Sequence, residues 1–192
     1  MINTDYSQTD FVLHSQRLDL VPMTLEFIEA VLAHDLQAAS RSGGFIIPPD
    51  FDAQASVLKW RQRQLRANPG AERWLLRSIV LRETRSAVGR IGFHSKPDSK
   101  DTQRQAPNSL ELGYAIFPSF RRQGFAKEAA ITLMRWAHVE CGIQKFLVSI
   151  SPNNKPSLSL AQSLGFERVN SRPDRGDGRD NVYVLHWPNN AA

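Results

Sequence analysis

Arg121-Arg122-Gln123-Gly124-Phe125-Ala126 stands between a strand-like run, Leu110 to Phe117, and an apolar-striped helix from about Phe125 to Cys141. A strand, a short turn and a helix start leave backbone N–H groups pointing at solvent without a partner, and such groups attract anions. The two arginines add positive charge, Gly124 removes a Cβ that would hold a ligand off the backbone, and Ala126 is small enough to let a ligand lie across the first helical turn. These residues read as a cradle for a diphosphate. The lysine-ended P-loop and the three-glycine dinucleotide fingerprint, other loops of this kind, are both missing.

Working outward, Trp74 to Arg82 and Val88 to His94 predict two strands of a hairpin turning at Glu83 to Ser86. Before them, Arg17 to Val21 alternates like a strand ended by Pro22. Leu25, Ile28, Val31 and Leu32 recur at helical spacing behind Thr24, an N-cap residue. A second helix is expected from about Asp52 to Ala67, with Lys59, Arg63 and Arg66 on a solvated or acceptor-gathering face. A polar connection runs from Lys96 to Asn108. Downstream come a buried strand, Phe146 to Ile150, and a helix from Asn153 to Leu164 ended by Gly165. Closing strands Glu167 to Asn170 and Asn181 to Trp187 flank a loop from Arg172 to Arg179. The expected fold is α/β, one domain over residues 1–192 with residues 1–12 loose.

The bulk properties remove several function classes. A single cysteine, Cys141, forbids an internal disulfide and suits a reducing compartment. No terminal run is apolar enough for a signal peptide or a bilayer span, so a cytoplasmic setting is expected. The five histidines show no ligand spacing, and no metal is expected. A net charge of +5 favours anionic partners, but the arginines are dispersed and no groove-reading element is present, so no specific nucleic acid is expected.

Three pieces then stand in fixed order: Glu111-Leu112-Gly113-Tyr114-Ala115-Ile116 with Pro118 beyond, the Arg121 to Ala126 cradle, and Asn154-Lys155-Pro156-Ser157 leading to Leu164-Gly165-Phe166. With them the chain resembles the GNAT superfamily of acyl-CoA-dependent N-acetyltransferases, closest to the branch with the RimJ and RimL ribosomal-protein enzymes. The resemblance runs from Arg17 to the last strand, and its specific part from Glu111 to Phe166. It implies a mixed, mainly antiparallel sheet of about seven strands flanked by helices, with a splayed central strand pair forming the cofactor cleft. It further implies acetyl-CoA as co-substrate, a primary amine as acceptor, on a small molecule or a protein N-terminus, and room for a homodimer. The alternative is a catalytically idle module that only binds acyl-CoA.

The resemblance also assigns residues. Backbone groups at Ala115 and Ile116 would bond the pantetheine arm, and the N–H groups of Arg122, Gln123, Gly124, Phe125, Ala126 and Lys127 would hold the diphosphate, with Arg121 or Arg122 reaching a phosphate oxygen. Asn154 and Ser157, three apart at a helix start, would face the pantetheine; read from the residues alone, they cap the helix. Glu111 is the candidate base, provided that burial or a second carboxylate raises its pKa; the competing reading pairs it with an arginine. His94 is the alternative base. Many family members place a tyrosine acid seven residues after the motif asparagine, but this chain has Ala161 there, leaving Ser157 to steady the leaving thiolate. A lysine amine near pKa 10.4 costs roughly 4 to 5 kcal/mol to deprotonate at pH 7, an α-amine near 7.8 about 1 kcal/mol, so an α-amine acceptor needs less help.

Overall fold

The computed structural model describes residues 11–49, 51, 55–97, 109–173 and 178–188. The first ten residues, the start of the expected second helix, most of the polar connection and the centre of the Arg172 to Arg179 loop lie outside the described residues. Among the described residues eight strands are seen: β1 (Leu13–His14), β2 (Leu18–Pro22), β3 (Leu76–Leu81), β4 (Ala87–Phe93), β5 (Ser109–Ile116), β6 (Lys145–Ile150), β7 (Glu167–Pro173) and β8 (Arg179–His186). The helices are α1 (Leu25–Leu32), α2 (Leu36–Gly43), α3 (Ala55–Ala67), α4 (Phe125–Cys141) and α5 (Lys155–Ser163). None of the described helices is long and apolar enough to cross a membrane.

By contact the chain divides into two compact units, Met1–Ile91 with Tyr114–Ala129, and Gly92–Gly113 with Ala130–Ala192. Strands β4 and β5 contribute to both. In the first unit the strand order is β1-β2-β3-β4-β5, with β1–β2 and β2–β3 antiparallel. Its core gathers Met23, Phe27, Ile28, Val31, Leu58 and Phe117 among others, all buried. The apolar spacing seen in the sequence is what buries them: Phe27, Ile28 and Val31 lie on one stripe of α1, whose start is capped by Thr24, its Oγ1 accepting from the Phe27 N–H at 3.1 Å.

In the second unit the order is β4-β5-β6-β8-β7, with β6–β8 and β7–β8 antiparallel and β5–β6 parallel. Phe93 stacks on Phe146 at 6.0 Å between centroids, and Trp187 meets Phe146 edge-on at 6.3 Å. Leu133, Met134 and Ala137 of α4 are fully buried, as its stripe requires. The parallel pairing stops at Glu111 opposite Leu147, although β5 continues to Ile116 and β6 to Ile150.

Four departures from the expected elements have local causes. Strand β1 was not foreseen, being only two residues long. Helix α2 was not expected: His34 turns left-handed at φ 60° and ends the preceding segment, and the Asp35 carboxylate then caps a new helix at the Ala38 N–H, 2.9 Å away. Pro69–Trp74 is a 3-10 turn, so β3 begins after Trp74. Strand β7 runs on to Pro173 and β8 starts at Arg179, so Arg172 belongs to a strand rather than a loop; a proline is tolerated there because β7 is an edge strand.

Candidate functional site

In the first unit, Pro118–Phe120 forms a single 3-10 turn, and the chain then passes through Arg121 to Gly124 into α4. Arg122 at φ 62° and Gly124 at φ 82° are both left-handed, and such backbone reversals make neighbouring N–H groups converge. For Arg122, a branched-free but non-glycine residue, that conformation costs roughly 1–2 kcal/mol. Residues 121–124 are exposed. Among the described residues the N–H groups from Arg122 to Lys127 donate to no protein acceptor, while the Gly124 carbonyl accepts the first helical bond, from Glu128, at 3.1 Å. The loop therefore presents donors together with Arg122 and Lys127, which suits a diphosphate.

Arg121, expected with Arg122 to reach a phosphate oxygen, donates from Nε to the Ile116 carbonyl at 3.1 Å, one of the two backbone positions assigned to the pantetheine. Gly89 allows the same stretch of β5 to lie close to β4, since a Cβ at residue 89 would stand 2.3 Å from the Ala115 carbonyl oxygen.

A residue outside the expected set shapes this loop. Arg17 donates from Nε to Glu128 Oε2 at 2.7 Å, from its backbone N–H to Oε1 at 2.8 Å, and from Nη1 to the Gln123 carbonyl at 3.1 Å. Ser15 Oγ also donates to Glu128 Oε1, at 2.8 Å, and the Arg17 guanidinium lies 4.7 Å above the Phe125 ring. Burial alone would raise the Glu128 carboxyl, but these donors outweigh it and hold it below the usual range. A carboxylate in the first turn of α4 would otherwise repel a bound phosphate; Arg17 neutralises it.

In the second unit the chemistry collects on Glu111. Its residue is 8% exposed on β5. Arg172 of β7 donates from Nη2 to Oε1, and His94 Nδ1 stands 3.4 Å from Oε2. The His94 N–H also donates to the Glu111 carbonyl at 2.9 Å, which pins the two backbones together. Burial pushes the Glu111 carboxyl up, but His94 and Arg172 more than reverse this and bring it down to about 2. The raised pKa that a carboxylate base requires is thus not what Glu111 has; the arginine pairing is present. Gly113, read from sequence as a splay or bulge glycine, has a further use: a Cβ there would lie 2.7 Å from His94 Nε2.

Asn154 caps α5, Oδ1 accepting from the Ser157 N–H at 3.3 Å, so the pair meets each other through the capping bond that their residue types favour. Ala161 of α5 is buried at 3% exposure. Cys141 ends α4 and is in no disulfide. Among the described residues no three His, Cys, Asp or Glu side chains are grouped as a metal site. Arg17 and Arg172 escaped sequence reasoning because each acts on a partner far along the chain, and neither lies in a recognisable local pattern.

A family model for the acetyltransferase (GNAT) domain matches residues 17–167. The mouse (Mus musculus) alpha/beta-tubulin-N-acetyltransferase 9 is 25% identical over 163 residues, 82% of this chain but 65% of the mouse protein, which is less than two thirds of that relative's length. The uncharacterized N-acetyltransferase YjdG of Bacillus subtilis is 26% identical over 159 residues, 81% of this chain and 89% of YjdG. A solved structure from Vibrio cholerae, provisionally assigned as a ribosomal-protein-serine acetyltransferase, matches with a TM-score of 0.63 at 22% identity, covering 94% of this chain and 99% of that one. At that identity the likeness concerns the fold.

Proposed function

The chain belongs to the GNAT acetyltransferase family, and from that premise we propose that it moves an acetyl group from acetyl-CoA directly to a primary amine, without a covalent enzyme intermediate. The observation that carries this reading is the run of unengaged N–H groups from Arg122 to Lys127, which includes two left-handed residues and has Glu128 neutralised by Arg17. In this reading the N–H groups and Arg122 hold the diphosphate, and Ala115 and Ile116 offer backbone groups to the pantetheine arm. Arg121, bonded to the Ile116 carbonyl, stiffens the passage between the two. Asn154 and Ser157 are assigned to the same arm, with the Ser157 hydroxyl steadying the departing sulfur.

The favoured acceptor is an α-amine, at the N-terminus of a protein or on a small molecule. Deprotonating it costs about 1 kcal/mol at pH 7 against roughly 4 to 5 kcal/mol for a lysine, and Glu111, held near 2, supplies little basicity of its own. The test is release of free thiol from acetyl-CoA across peptides with free or blocked α-amines, polyamines and amino acids. We expect release that depends on a free α-amine and disappears when it is blocked. No release above background hydrolysis with any amine would contradict the reading and favour an idle acyl-CoA-binding module, to which Ala161 lends some support.

A further inference from the structure

We infer that Arg17 is a positioning residue for the cofactor: by holding the Gln123 carbonyl it aims the Gly124 N–H at the diphosphate. This rests on the N-acetyltransferase reading above and deepens it, naming the side chain that sets the direction of a cradle donor. Every group involved belongs to the first unit.

A trans peptide is planar, so its C=O and N–H point in opposite directions. Arg17 Nη1 donates to the Gln123 carbonyl at 3.1 Å. The N–H of that same peptide is Gly124's, so it points away from the guanidinium; among the described residues it donates to no protein acceptor. The loop around it is exposed, and Gly124, at φ 82°, has no Cβ to resist rotation of the peptide. A flip would turn the carbonyl outward and put an acceptor where a phosphate needs a donor. The bond from Arg17 blocks that flip.

The guanidinium can do this because it is itself held. Nε and Nη2 each lie 2.7 Å from Glu128 Oε2, while the Arg17 backbone N–H and Ser15 Oγ donate to Oε1, each at 2.8 Å. The Phe125 ring lies 4.7 Å from the guanidinium carbon, and Nη2 stands 3.4 Å from where a residue 124 side chain would begin. A planar fork meets the carboxylate and the carbonyl in one fixed geometry, as a single ammonium does not. Arg17 thus has two separable effects: it neutralises Glu128, and it orients the Gln123–Gly124 peptide.

The two are separated by calorimetric titration of wild type, Arg17→Ala, Glu128→Gln and the double variant with acetyl-CoA and with acetyl-pantetheine, which lacks the diphosphate. The Arg17 side chain is 46% exposed, so its removal opens no core cavity. With glutamine at 128 no carboxylate needs neutralising, and Arg17→Ala on that background reports orientation alone. There it is expected to weaken acetyl-CoA at least about tenfold, the worth of one charge-assisted hydrogen bond, and to leave acetyl-pantetheine within about threefold. An effect on acetyl-CoA below about threefold on that background would overturn the inference and leave Arg17 a counter-charge only. An equal loss for both ligands would overturn it too, as a general disturbance of the fold. The carbon-13 shift of the Gln123 carbonyl reads the arrangement without ligand or turnover: it is expected to move upfield in Arg17→Ala as the donor is lost, and an unmoved signal overturns the inference. A wild-type protein that binds no acetyl-CoA sinks the functional reading instead, and the carbonyl shift still tests the peptide's orientation.

Discussion

Gly89→Ala is expected to destabilise the protein by about 3 kcal/mol or more and to abolish detectable acetyl-CoA binding. The new Cβ would meet the Ala115 carbonyl oxygen at 2.3 Å, the Ile116 Cδ1 at 2.9 Å and the Ile116 Cα at 3.1 Å. Two of these atoms are backbone, held in place by the Phe117 N–H bond to the Val88 carbonyl at 2.9 Å on the same strand pair, so they cannot step aside as a flexible side chain would. The strand must shift, and with it the Ala115 and Ile116 groups that the proposal assigns to the pantetheine arm. For a chain of 192 residues, a loss of this size lowers Tm by roughly 6–12 °C, measurable by thermal denaturation. A Tm within about 2 °C of wild type, with acetyl-CoA affinity intact, would show that the two strands are not packed as described.

Glu111→Ala carries the other large effect, on stability. A carboxyl at about 2 in the folded protein and near its model value of 4.5 unfolded contributes about 3 kcal/mol, an upper figure because the Arg172 side chain is 30% exposed to water. The folded pKa is depressed, so this stability is fully present above about pH 4.5 and is lost as pH falls from there through 2. Wild type should therefore lose stability steeply between pH 4.5 and 2, while Glu111→Gln loses less over that window because one titrating group is gone. In the alanine variant the Arg172 guanidinium and the His94 Nδ1 lose their acceptor, which adds to the loss of stability. Denaturant titration at pH 7 and pH 3.5 checks this. Identical acid sensitivity in wild type and Glu111→Gln would contradict the described pairing.

The parts of the fold that were readable in the sequence are those set by short-range periodicity and capping. The α1 stripe behind Thr24, the hairpin at Glu83 to Ser86, the 17-residue α4 and the glycine after the last helix all follow from spacing and residue type. The strand, glycine turn and helix start around Arg121 to Ala126 were readable for the same reason, because they are contiguous. What was not readable depends on distant partners. Arg17 looks like the first residue of an alternating strand, and nothing near it announces Glu128, 111 residues on. Arg172 sits before a proline and so reads as loop, yet the edge position of β7 admits that proline and delivers the guanidinium to Glu111, 61 residues earlier.

The protonation behaviour of Glu111 was unreadable for a related reason. Burial and ion pairing push a carboxylate in opposite directions, and only the geometry of His94 and Arg172 decides which prevails. Gly113 shows the same limit at a single residue: its spacing marks a special position, but that a histidine ring fills the missing side chain's place is a tertiary fact.

The central claim, that the loop from Arg121 to Lys127 holds the diphosphate of acetyl-CoA, is tested most directly by calorimetric titration of the wild-type protein with acetyl-CoA and, separately, with acetyl-pantetheine, which has the thioester arm but no diphosphate. Losing two or more charge-assisted hydrogen bonds should weaken binding by about 100-fold or more, so acetyl-CoA is expected to bind at one site per chain and acetyl-pantetheine at least about 100-fold more weakly. Equal affinity for the two ligands, or no binding of acetyl-CoA, would contradict it.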